Sequence, residues 1–283
     1  MNKYKDSIEK IIYFAGKNAD IEAIIMIGSQ CRKIKPADKY SDLDLIIVTD
    51  KPDKYINDDK WLNNFGEIVC TFVEPTIGGG KERRVLYNDN RDIDFSVVPS
   101  SYKFSDKHFT DPTTLSTFEK GYKVIYDKLN IVEDMLKSKL KKKSDKLVLK
   151  SEKEMNDFVS DFNYHIIWAA KKLKGKELWF SIGCINCYLG NLLLQMIKYY
   201  TVLYNKNNTI WHYGRFLEDY IPDKFKKRLS SCFCRYDEKD AEHSIASLFE
   251  FFNELAKNVY KKAGYKFNNS QFLEIKKLLK LIN

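Results

Sequence analysis

The hydrophobic pattern of this 283-residue chain changes type about halfway along, and the change limits the folds that the chain can adopt. The first half contains short apolar runs separated by polar turns, at residues 22–27, 43–48, 68–73 and 93–98. Runs of this length, two of them ending at glycine or proline, are typical of buried β-strands. The second half instead repeats its apolar residues with helical periodicity, at residues 152–173, 177–204, 240–262 and 270–281. The pattern predicts an α/β region followed by a helical bundle.

Helices are also predicted within the first half, at residues 4–18 and around residues 57–64. The chain is long enough for two domains of ordinary size. Because the composition shifts between residues 130 and 150, we predict one domain over residues 1–135 and a second over residues 136–283.

The net charge of +9 comes mainly from one lysine-rich segment. Residues 136–153 contain eight lysines and two acidic residues, so they carry +6 and the other 265 residues carry +3. This distribution argues against a generally basic nucleic-acid-binding protein. No aromatic residue lies between these lysines for base stacking, and the run is typical of a solvated connector.

The six cysteines do not follow the spacing of a disulfide-rich secreted scaffold. A zinc site is one hypothesis for two closely spaced pairs, Cys184 with Cys187 and Cys232 with Cys234. The first pair, however, falls inside a predicted helix. We therefore interpret the cysteines as buried free thiols. The N-terminal residues lack the apolar region of a signal peptide, and no window of about 18 uninterrupted apolar residues occurs. These features predict a soluble cytoplasmic protein without a membrane span.

The segment GSQCRKIKPADKYSDLDLIIV contains the polar residues that point to chemistry. Gly28 and Ser29 follow the first predicted strand, and Asp42 and Asp44 lie at the start of the second. Because side chains alternate along a strand, Asp42 and Asp44 point to the same side, with their backbones about 7 Å apart. Two carboxylates in this arrangement are suited to a hard divalent cation.

A third carboxylate, Asp94, lies near the start of the strand that ends at Pro99. The glycine turn offers backbone N–H groups, and Ser29 offers a hydroxyl, for binding phosphate. Nucleotidyl transfer needs a metal that holds the triphosphate and neutralises the departing pyrophosphate, and a second metal or a base that activates the attacking hydroxyl. Acids at strand ends are often only solvated or capping, so the prediction depends on the whole set.

The chain resembles polymerase-beta-like nucleotidyltransferases in one sequence signature. That signature consists of Gly-Ser, then eleven residues, then a small polar residue and Asp-x-Asp. More narrowly, the chain is similar to the bacterial aminoglycoside 6-adenylyltransferases, at residues 61–66, 94–99, 123–128, 161–162 and 171–180. The resemblance covers residues 1–200 well and the remainder loosely. It implies an α+β fold, with an N-terminal polymerase-beta-like domain built on a mixed sheet, a C-terminal helical bundle and the active site between them.

The same resemblance implies roles for residues of the first domain. Asp42 and Asp44 would ligate Mg²⁺, and Asp94 would be the third carboxylate, as metal ligand or catalytic base. Gly28 and Ser29 would hold the triphosphate of ATP. Asp92 is the rival for the base, because a small error in the predicted strand start would not separate it from Asp94.

In the helical half, the resemblance implies that Lys171 reaches a phosphate and that Asp161 and Glu177 bind a polycationic aminoglycoside. Glu154 and Asp157 continue the acidic stripe of Asp161 along one predicted helix. Without the resemblance, a solvated helix face is the simpler interpretation of these acids and of Lys171.

One position departs from the family pattern. Gln30 follows Ser29, where such enzymes usually have arginine. The missing guanidinium removes a bidentate phosphate contact. Either Arg32 or Lys33 compensates for the loss, or triphosphate binding is weaker.

The resemblance implies transfer of AMP from Mg·ATP to a hydroxyl of an aminoglycoside, with streptomycin favoured, and hence antibiotic resistance. One alternative is the same chemistry on another small antibiotic, such as a lincosamide. The other is a catalytically silent fold that binds nucleic acid or a partner protein through the lysine-rich segment. The pattern predicts no particular oligomeric state.

Overall fold

The computed structural model describes residues 3–76, 80–100, 112–130, 132, 136, 149–205 and 210–282. The chain divides into two compact units, Met1–Lys146 and Leu147–Asn283. The first unit contains the sheet and the second is helical, which confirms the predicted order of a mixed sheet followed by helices. The domain boundary between residues 135 and 136 stays a prediction.

The first unit is built on a sheet of six strands. The strands are β1 (Ile21–Ile27), β2 (Leu43–Thr49), β3 (Ile68–Pro75), β4 (Lys81–Tyr87), β5 (Asp92–Pro99) and β6 (Lys123–Asp127). Their order in space is β3-β4-β5-β2-β1-β6. Strands β2 and β5 are parallel, whereas the other neighbouring pairs are antiparallel. The N-terminal ends of β2 and β5 therefore lie side by side.

Among the described residues, helices and 3₁₀ turns accompany the sheet. They are α1 (Lys5–Lys17), the turn Gly28–Gln30, α2 (Pro52–Asn57), the turn Lys60–Asn64 and α3 (Pro112–Lys120). Residues 132 and 136 are also helical. Residues of α1, α2 and the second turn pack on one face of the sheet, and α3 packs on the other. The helical stretch predicted around residues 57–64 is observed as the end of α2 followed by a 3₁₀ turn.

Burial of both faces explains why β2 is continuously apolar from Leu45 to Val48. Leu43, Leu45 and Ile47 pack on the face that α1 covers, and Ile46 and Val48 pack on the opposite face. A strand buried on both sides needs apolar residues at every position, so it has no polar alternation.

Strands β4 and β6 were not among the predicted strands. In β4, Val85 and Tyr87 are buried, but charged residues fill most of the other positions. Arg83 is also buried, and its guanidinium donates to the carbonyl oxygen of Ile56 and to the hydroxyl of Thr71. These tertiary contacts give partners to the Nη atoms of the buried guanidinium, whereas its Nε has none among the described residues.

The second unit consists of helices. They are α4 (Glu152–Lys174), α5 (Leu178–Gly183), a π-helical turn (Cys184–Leu189), α6 (Gly190–Tyr204), α7 (Leu217–Tyr220), α8 (Asp223–Leu229), α9 (Glu238–Ala263) and α10 (Asn269–Ile282). The four long helical segments predicted from periodicity are all present. The segment predicted at residues 177–204 is divided by the π-helical turn.

Helix α4 begins with a capping box. The hydroxyl of Ser151 accepts from the N–H of Glu154, and the carboxylate of Glu154 accepts from the N–H of Ser151 at 2.9 Å. Such a box satisfies two backbone donors at the helix start. Glu154 is therefore used at the helix start, although it belongs to the acidic stripe predicted along this helix.

One stretch of the second unit, Leu178–Tyr204, is long and apolar enough to cross a membrane by length and composition. These criteria are weak evidence, because core helices of soluble proteins meet them as well. The stretch supplies Leu189, Leu193, Met196 and Ile197 to the core of the unit. Packing inside the protein therefore accounts for part of its apolar composition, since 39% of the apolar window is buried.

All six cysteines are free thiols, but the expectation that they are buried is wrong for Cys70 and Cys187, which are exposed, and Cys31 is only partly buried. Cys184, Cys232 and Cys234 are buried, and burial raises the pKa of the Cys232 thiol to about 11. Over the described residues, no group of cysteine side chains has the geometry of a metal site. Nothing in the described part of the chain therefore supports the zinc hypothesis.

Candidate active site

Three aspartates lie together at one end of the two parallel strands. Asp42 precedes β2, Asp44 lies within β2, and Asp94 lies in β5 directly opposite Asp44 in the sheet register. Leu43 and Ile93 are fully buried on the face that α1 covers. Because strand side chains alternate, the three aspartates belong to the opposite face.

The separation of the three carboxylates is suited to a metal ion. One oxygen each from Asp42, Asp44 and Asp94 lies within 4.8 Å of the other two. An Mg²⁺ ion holds its oxygens at about 2.1 Å, so two oxygens on one ion are at most about 4.2 Å apart. Small rotations of the side chains would bring the oxygens to that separation. The donor set therefore fits a hard divalent cation.

The 3₁₀ turn Gly28–Gln30 lies beside the aspartates because β1 and β2 are neighbours. Ile27, the last residue of β1, pairs with Asp44. Gly28 has a φ of +70°, and a Cβ at this position would overlap the Oδ2 atom of Asp44. Both the left-handed backbone and the close carboxylate therefore require glycine here.

Replacing Gly28 with alanine is expected to lower turnover by roughly 10²-fold, because displacement of Asp44 by about 1 Å would misplace the reacting groups. Steady-state kinetics would measure the loss. Gly16→Ala is the matched control, since Gly16 lies in α1 with nothing within 4 Å of its hypothetical Cβ. Gly28→Ala activity equal to that of Gly16→Ala would contradict the need for glycine beside Asp44.

Ser29 places a hydroxyl in the same turn. The residue is 3% exposed, and its Oγ has no hydrogen-bond partner within the described part of the chain. Its backbone carbonyl accepts from the N–H of Ala37 at 2.9 Å, which ties the turn to the loop before β2. Buried hydroxyl groups usually have a partner, so this one is available to a ligand.

Gln30 connects the turn to the backbone of a candidate metal ligand. Its Nε2 donates to the carbonyl oxygen of Asp42 at 2.9 Å. Sequence reasoning considered only the phosphate contact that an arginine would make, and it missed this bond. Of the two residues suggested to compensate, Arg32 donates to the carbonyl oxygen of Lys35 and Lys33 is exposed.

Asp94 is the most buried of the three aspartates, at 7% exposure. Its Oδ2 lies 3.2 Å from Nη2 of Arg84, which is its partner in β4. Arg84 also pairs with Glu82 and Glu74, each at 2.8 Å. Burial raises the pKa of Asp94 to about 7, and the nearby charges of Glu82 and Asp42 also raise it, while Arg84 opposes the increase. This carboxyl group therefore titrates near neutral pH.

Arg84 is a site residue that sequence reasoning missed. Its only signal in the sequence is the alternation that puts Glu82 and Arg84 on one side of a strand. Since β4 was not predicted as a strand, that alternation could not be used.

Asp92, the rival base, has different surroundings. The hydroxyl of the buried Tyr4 lies 3.0 Å from its Oδ1 and 2.9 Å from its backbone carbonyl oxygen. Nζ of Lys3 lies 3.7 Å from the same Oδ1. The side chain of Asp92 is 47% exposed, against 10% for Asp94, and it is not in the group with metal-site geometry. These surroundings favour Asp94.

In the second unit, Asp161 contacts two side chains. The hydroxyl of Tyr188, in the π-helical turn, lies 3.0 Å from both carboxylate oxygens of Asp161. Nδ1 of His165, one turn further along α4, lies 2.7 Å from Oδ1. Sequence reasoning singled out Asp161 but neither of these partners, because both contacts depend on the helix packing.

Glu177 and Lys171 are placed differently. Glu177 is exposed, and its Oε1 lies 2.7 Å from Nζ of Lys172. Lys171 is exposed on α4. Among the described residues, no contact joins Glu177 to Asp161. The binding roles of Asp161, Glu177 and Lys171 stay predictions.

Most of the lysine-rich segment lies outside the described residues. Only Lys150 and Lys153 of its eight lysines fall within the described part of the chain. Its predicted role as a solvated connector therefore stays a prediction.

The chain is similar in sequence to known proteins over nearly its whole length. The family model for streptomycin adenylyltransferase matches residues 1–282. The chain is 24% identical to an aminoglycoside 6-adenylyltransferase of Campylobacter jejuni over 277 residues, which cover 94% of this chain and 91% of the relative. It is 22% identical to an aminoglycoside 6-adenylyltransferase of Staphylococcus aureus over 283 residues, which cover 95% of each chain.

Among solved structures, the chain is similar to the crystal structure of an aminoglycoside 6-adenyltransferase from Bacillus subtilis, with 16% identity and a TM-score of 0.46. That similarity covers 100% of this chain and 99% of the other. The family match extends over nearly the whole sequence and confirms the resemblance carried by the Gly-Ser and Asp-x-Asp motifs. The protein therefore belongs to the streptomycin adenylyltransferase family and is a nucleotidyltransferase.

Proposed function

We propose that the protein transfers AMP from Mg·ATP to a hydroxyl group of an aminoglycoside antibiotic and releases pyrophosphate, with streptomycin the favoured acceptor. The observation that carries this proposal is the convergence of Asp42, Asp44 and Asp94 beside a glycine turn. The names of the relatives support the substrate class. The modified drug would lose a hydroxyl and gain a bulky anion, which would give resistance.

Asp42, Asp44 and Asp94 would hold Mg²⁺, the cation that their oxygen donors suit. When bound, the metal supplies positive charge that stabilises the triphosphate and the departing pyrophosphate. The turn beginning at Gly28 would offer its backbone N–H groups to phosphate oxygens. Ser29 would offer the hydroxyl that has no partner among the described residues, which supports its place in triphosphate binding.

Asp94 would also accept the proton of the acceptor hydroxyl. That oxygen would form a bond to the α-phosphorus of ATP, while the bond from this phosphorus to the bridging oxygen of pyrophosphate breaks. The position of Asp94 beside Asp42 and Asp44 in the group with metal-site geometry supports this role. Arg84 would hold one oxygen of Asp94 in place.

The acceptor would be bound by acidic side chains of the second unit. Asp161 has the stronger support, because its described contacts are to Tyr188 and His165 and to no lysine or arginine. Glu177 would have to exchange its partner Lys172 for the antibiotic. Lys171 is exposed and would bind a phosphate group of the nucleotide.

We propose a cytoplasmic location, where ATP is available to the enzyme. No membrane partner is part of the proposal.

The test is pyrophosphate release from Mg·ATP with a panel of antibiotics. The panel contains streptomycin, a second aminoglycoside, a lincosamide and a sample without antibiotic. We expect release that depends on streptomycin, and mass spectrometry of the drug should show one added AMP. The Asp42→Asn protein is the control for contaminating activity.

Each other outcome has a defined meaning. Release with the second aminoglycoside alone would keep the reaction and change the acceptor. Release with the lincosamide alone would overturn the aminoglycoside assignment. No release with any antibiotic, together with tight RNA binding at physiological salt, would favour the nucleic-acid alternative.

A further inference from the structure

The carboxylate of Asp161 contacts a tyrosine and a histidine rather than a lysine or arginine. Among the described residues, seven other carboxylates of this unit pair with a lysine or arginine, for example Glu177 with Lys172. Glu154 and Asp237, which have no such ion pair, cap helices instead. Within the described part of the chain, no lysine or arginine pairs with Asp161. Its carboxylate is 35% exposed and is held by a phenol and an imidazole.

The contacts to Asp161 fix the orientation of its carboxylate. The Tyr188 hydroxyl lies equally far from both oxygens, so its proton is shared between them. Nδ1 of His165 faces two acceptors, Oδ1 of Asp161 at 2.7 Å and the backbone carbonyl of the same residue at 3.0 Å. Since both of these groups are acceptors, Nδ1 carries a proton and donates it.

The π-helical turn Cys184–Leu189 presents Tyr188 to Asp161. A π-helical turn contains one residue more than an α-helical turn, which rotates the side chains that follow by about 100°. Short π-helical segments inside helices are frequent at functional sites. The irregular turn and the contact to Asp161 are separate observations that point to the same place.

Aromatic rings continue from Asp161 along α4. The His165 ring lies 4.4 Å from the Tyr188 ring and 6.2 Å from the Trp168 ring. Phe180 lies 5.0 Å from Trp168 and is half exposed. Nζ of Lys172 already lies 5.7 Å from the centroids of the Trp168 and Phe180 rings. The feature suited to an ammonium or guanidinium group is therefore the carboxylate of Asp161, with which no lysine or arginine of the described residues pairs.

We propose that Tyr188 and His165 are positioning residues, which hold the carboxylate of Asp161 to receive an ammonium or guanidinium group of the acceptor. Neither residue reacts or touches the nucleotide. This proposal depends on the proposed function, because the acceptor it requires is a polycationic antibiotic. The proposal assigns Tyr188 and His165 a role in binding the acceptor. It also gives the π-helical turn the role of placing Tyr188 next to Asp161.

The test separates acceptor binding from the other steps. Tyr188→Phe removes the hydroxyl and retains the ring, so the KM for streptomycin should rise about 3- to 10-fold, the effect of one hydrogen bond. The KM for ATP, kcat and the melting temperature should stay unchanged. Calorimetric titration with streptomycin in the absence of ATP should show the same fold-change in Kd.

Tyr236→Phe is the matched control, since Tyr236 is 65% exposed in the same unit and its ring contacts Trp179. For His165, alanine should weaken streptomycin binding, whereas asparagine should restore most of it, because its amide nitrogen replaces the Nδ1 donor. Rescue by asparagine would not be expected if His165 contributed only packing volume.

The outcomes separate this proposal from the proposed function. A wild-type protein that modifies streptomycin, with Tyr188→Phe and His165→Ala indistinguishable from it in KM and Kd, would overturn the positioning roles alone. An increase in the KM for ATP equal to that for streptomycin would overturn them as well, because it would indicate a general structural defect. A wild-type protein that modifies no antibiotic would overturn the proposed function.

Discussion

The Asp42→Asn and Asp44→Asn proteins are each expected to lose more than about 10³-fold in turnover while keeping the native fold. Each substitution removes one charged oxygen donor from a site in which three carboxylates lie within 4.8 Å. Metal stabilisation of transferred phosphoryl groups contributes several kcal/mol, and each 1.4 kcal/mol is about tenfold in rate. Pyrophosphate release at saturating Mg·ATP measures the loss.

Asp53→Asn is the control for the change of charge, since Asp53 is exposed in the first turn of α2. All three proteins should have the same circular dichroism spectrum. Retention of more than a few per cent of the wild-type rate by Asp42→Asn or Asp44→Asn would remove that residue from the proposed metal site.

The Asp94→Asn protein is expected to lose roughly 10²–10⁴-fold in kcat, because a positioned base typically contributes that much. Binding of Mg·ATP should weaken much less than in Asp42→Asn. Asp92→Asn should stay active, because its carboxylate contacts Tyr4 and Lys3. An active Asp94→Asn beside an inactive Asp92→Asn would move the base to Asp92. Loss of nucleotide binding as complete as in Asp42→Asn would make Asp94 chiefly a metal ligand.

The same protein allows a test of the raised pKa of Asp94. The group binds its proton more tightly in the folded state, with a pKa of about 7 against the ordinary 3.8. Between pH 3.8 and about 7, Asp94 has released its proton in the unfolded chain but still holds it in the folded chain. The free energy of unfolding of the wild-type protein therefore falls as the pH rises through this range. Metal-free Asp94→Asn should therefore be more stable than wild type above pH 7, and the difference should vanish towards pH 4. Thermal unfolding in a chelator measures this, and a pH-independent difference would contradict the raised pKa.

The sheet was only partly predictable because burial and polarity do not always coincide. β1, β2, β3 and β5 have apolar runs that indicate strands directly. β4 contains four charged residues in sequence, and its inclusion depends on the bonds of Arg83 and the ion pairs of Arg84. These partners lie far away in the sequence, so the periodicity of a single segment cannot predict the contacts with them.

The candidate site was also only partly predictable from the sequence. Spacing and alternation along β2 predicted that Asp42 and Asp44 share a side, and the register between β2 and β5 adds Asp94 to them. The bond of Gln30 to Asp42 could not be predicted, because a side chain that reaches a backbone carbonyl leaves no pattern in the sequence. The contact of Tyr188 with Asp161 required the π-helical turn, which apolar periodicity does not distinguish from an α-helix.

The parallel pairing of β2 and β5 makes the candidate site sensitive to the number of residues in each strand. One residue added or removed within β5 would transfer Asp94 to the face that α1 covers and would bring a neighbouring apolar side chain to the aspartates. A point substitution elsewhere in β5 leaves this arrangement in place. Along these strands, an insertion or deletion therefore disturbs the candidate site more than an exchange of any side chain other than the aspartates themselves, and the number of residues in each strand helps to position the site.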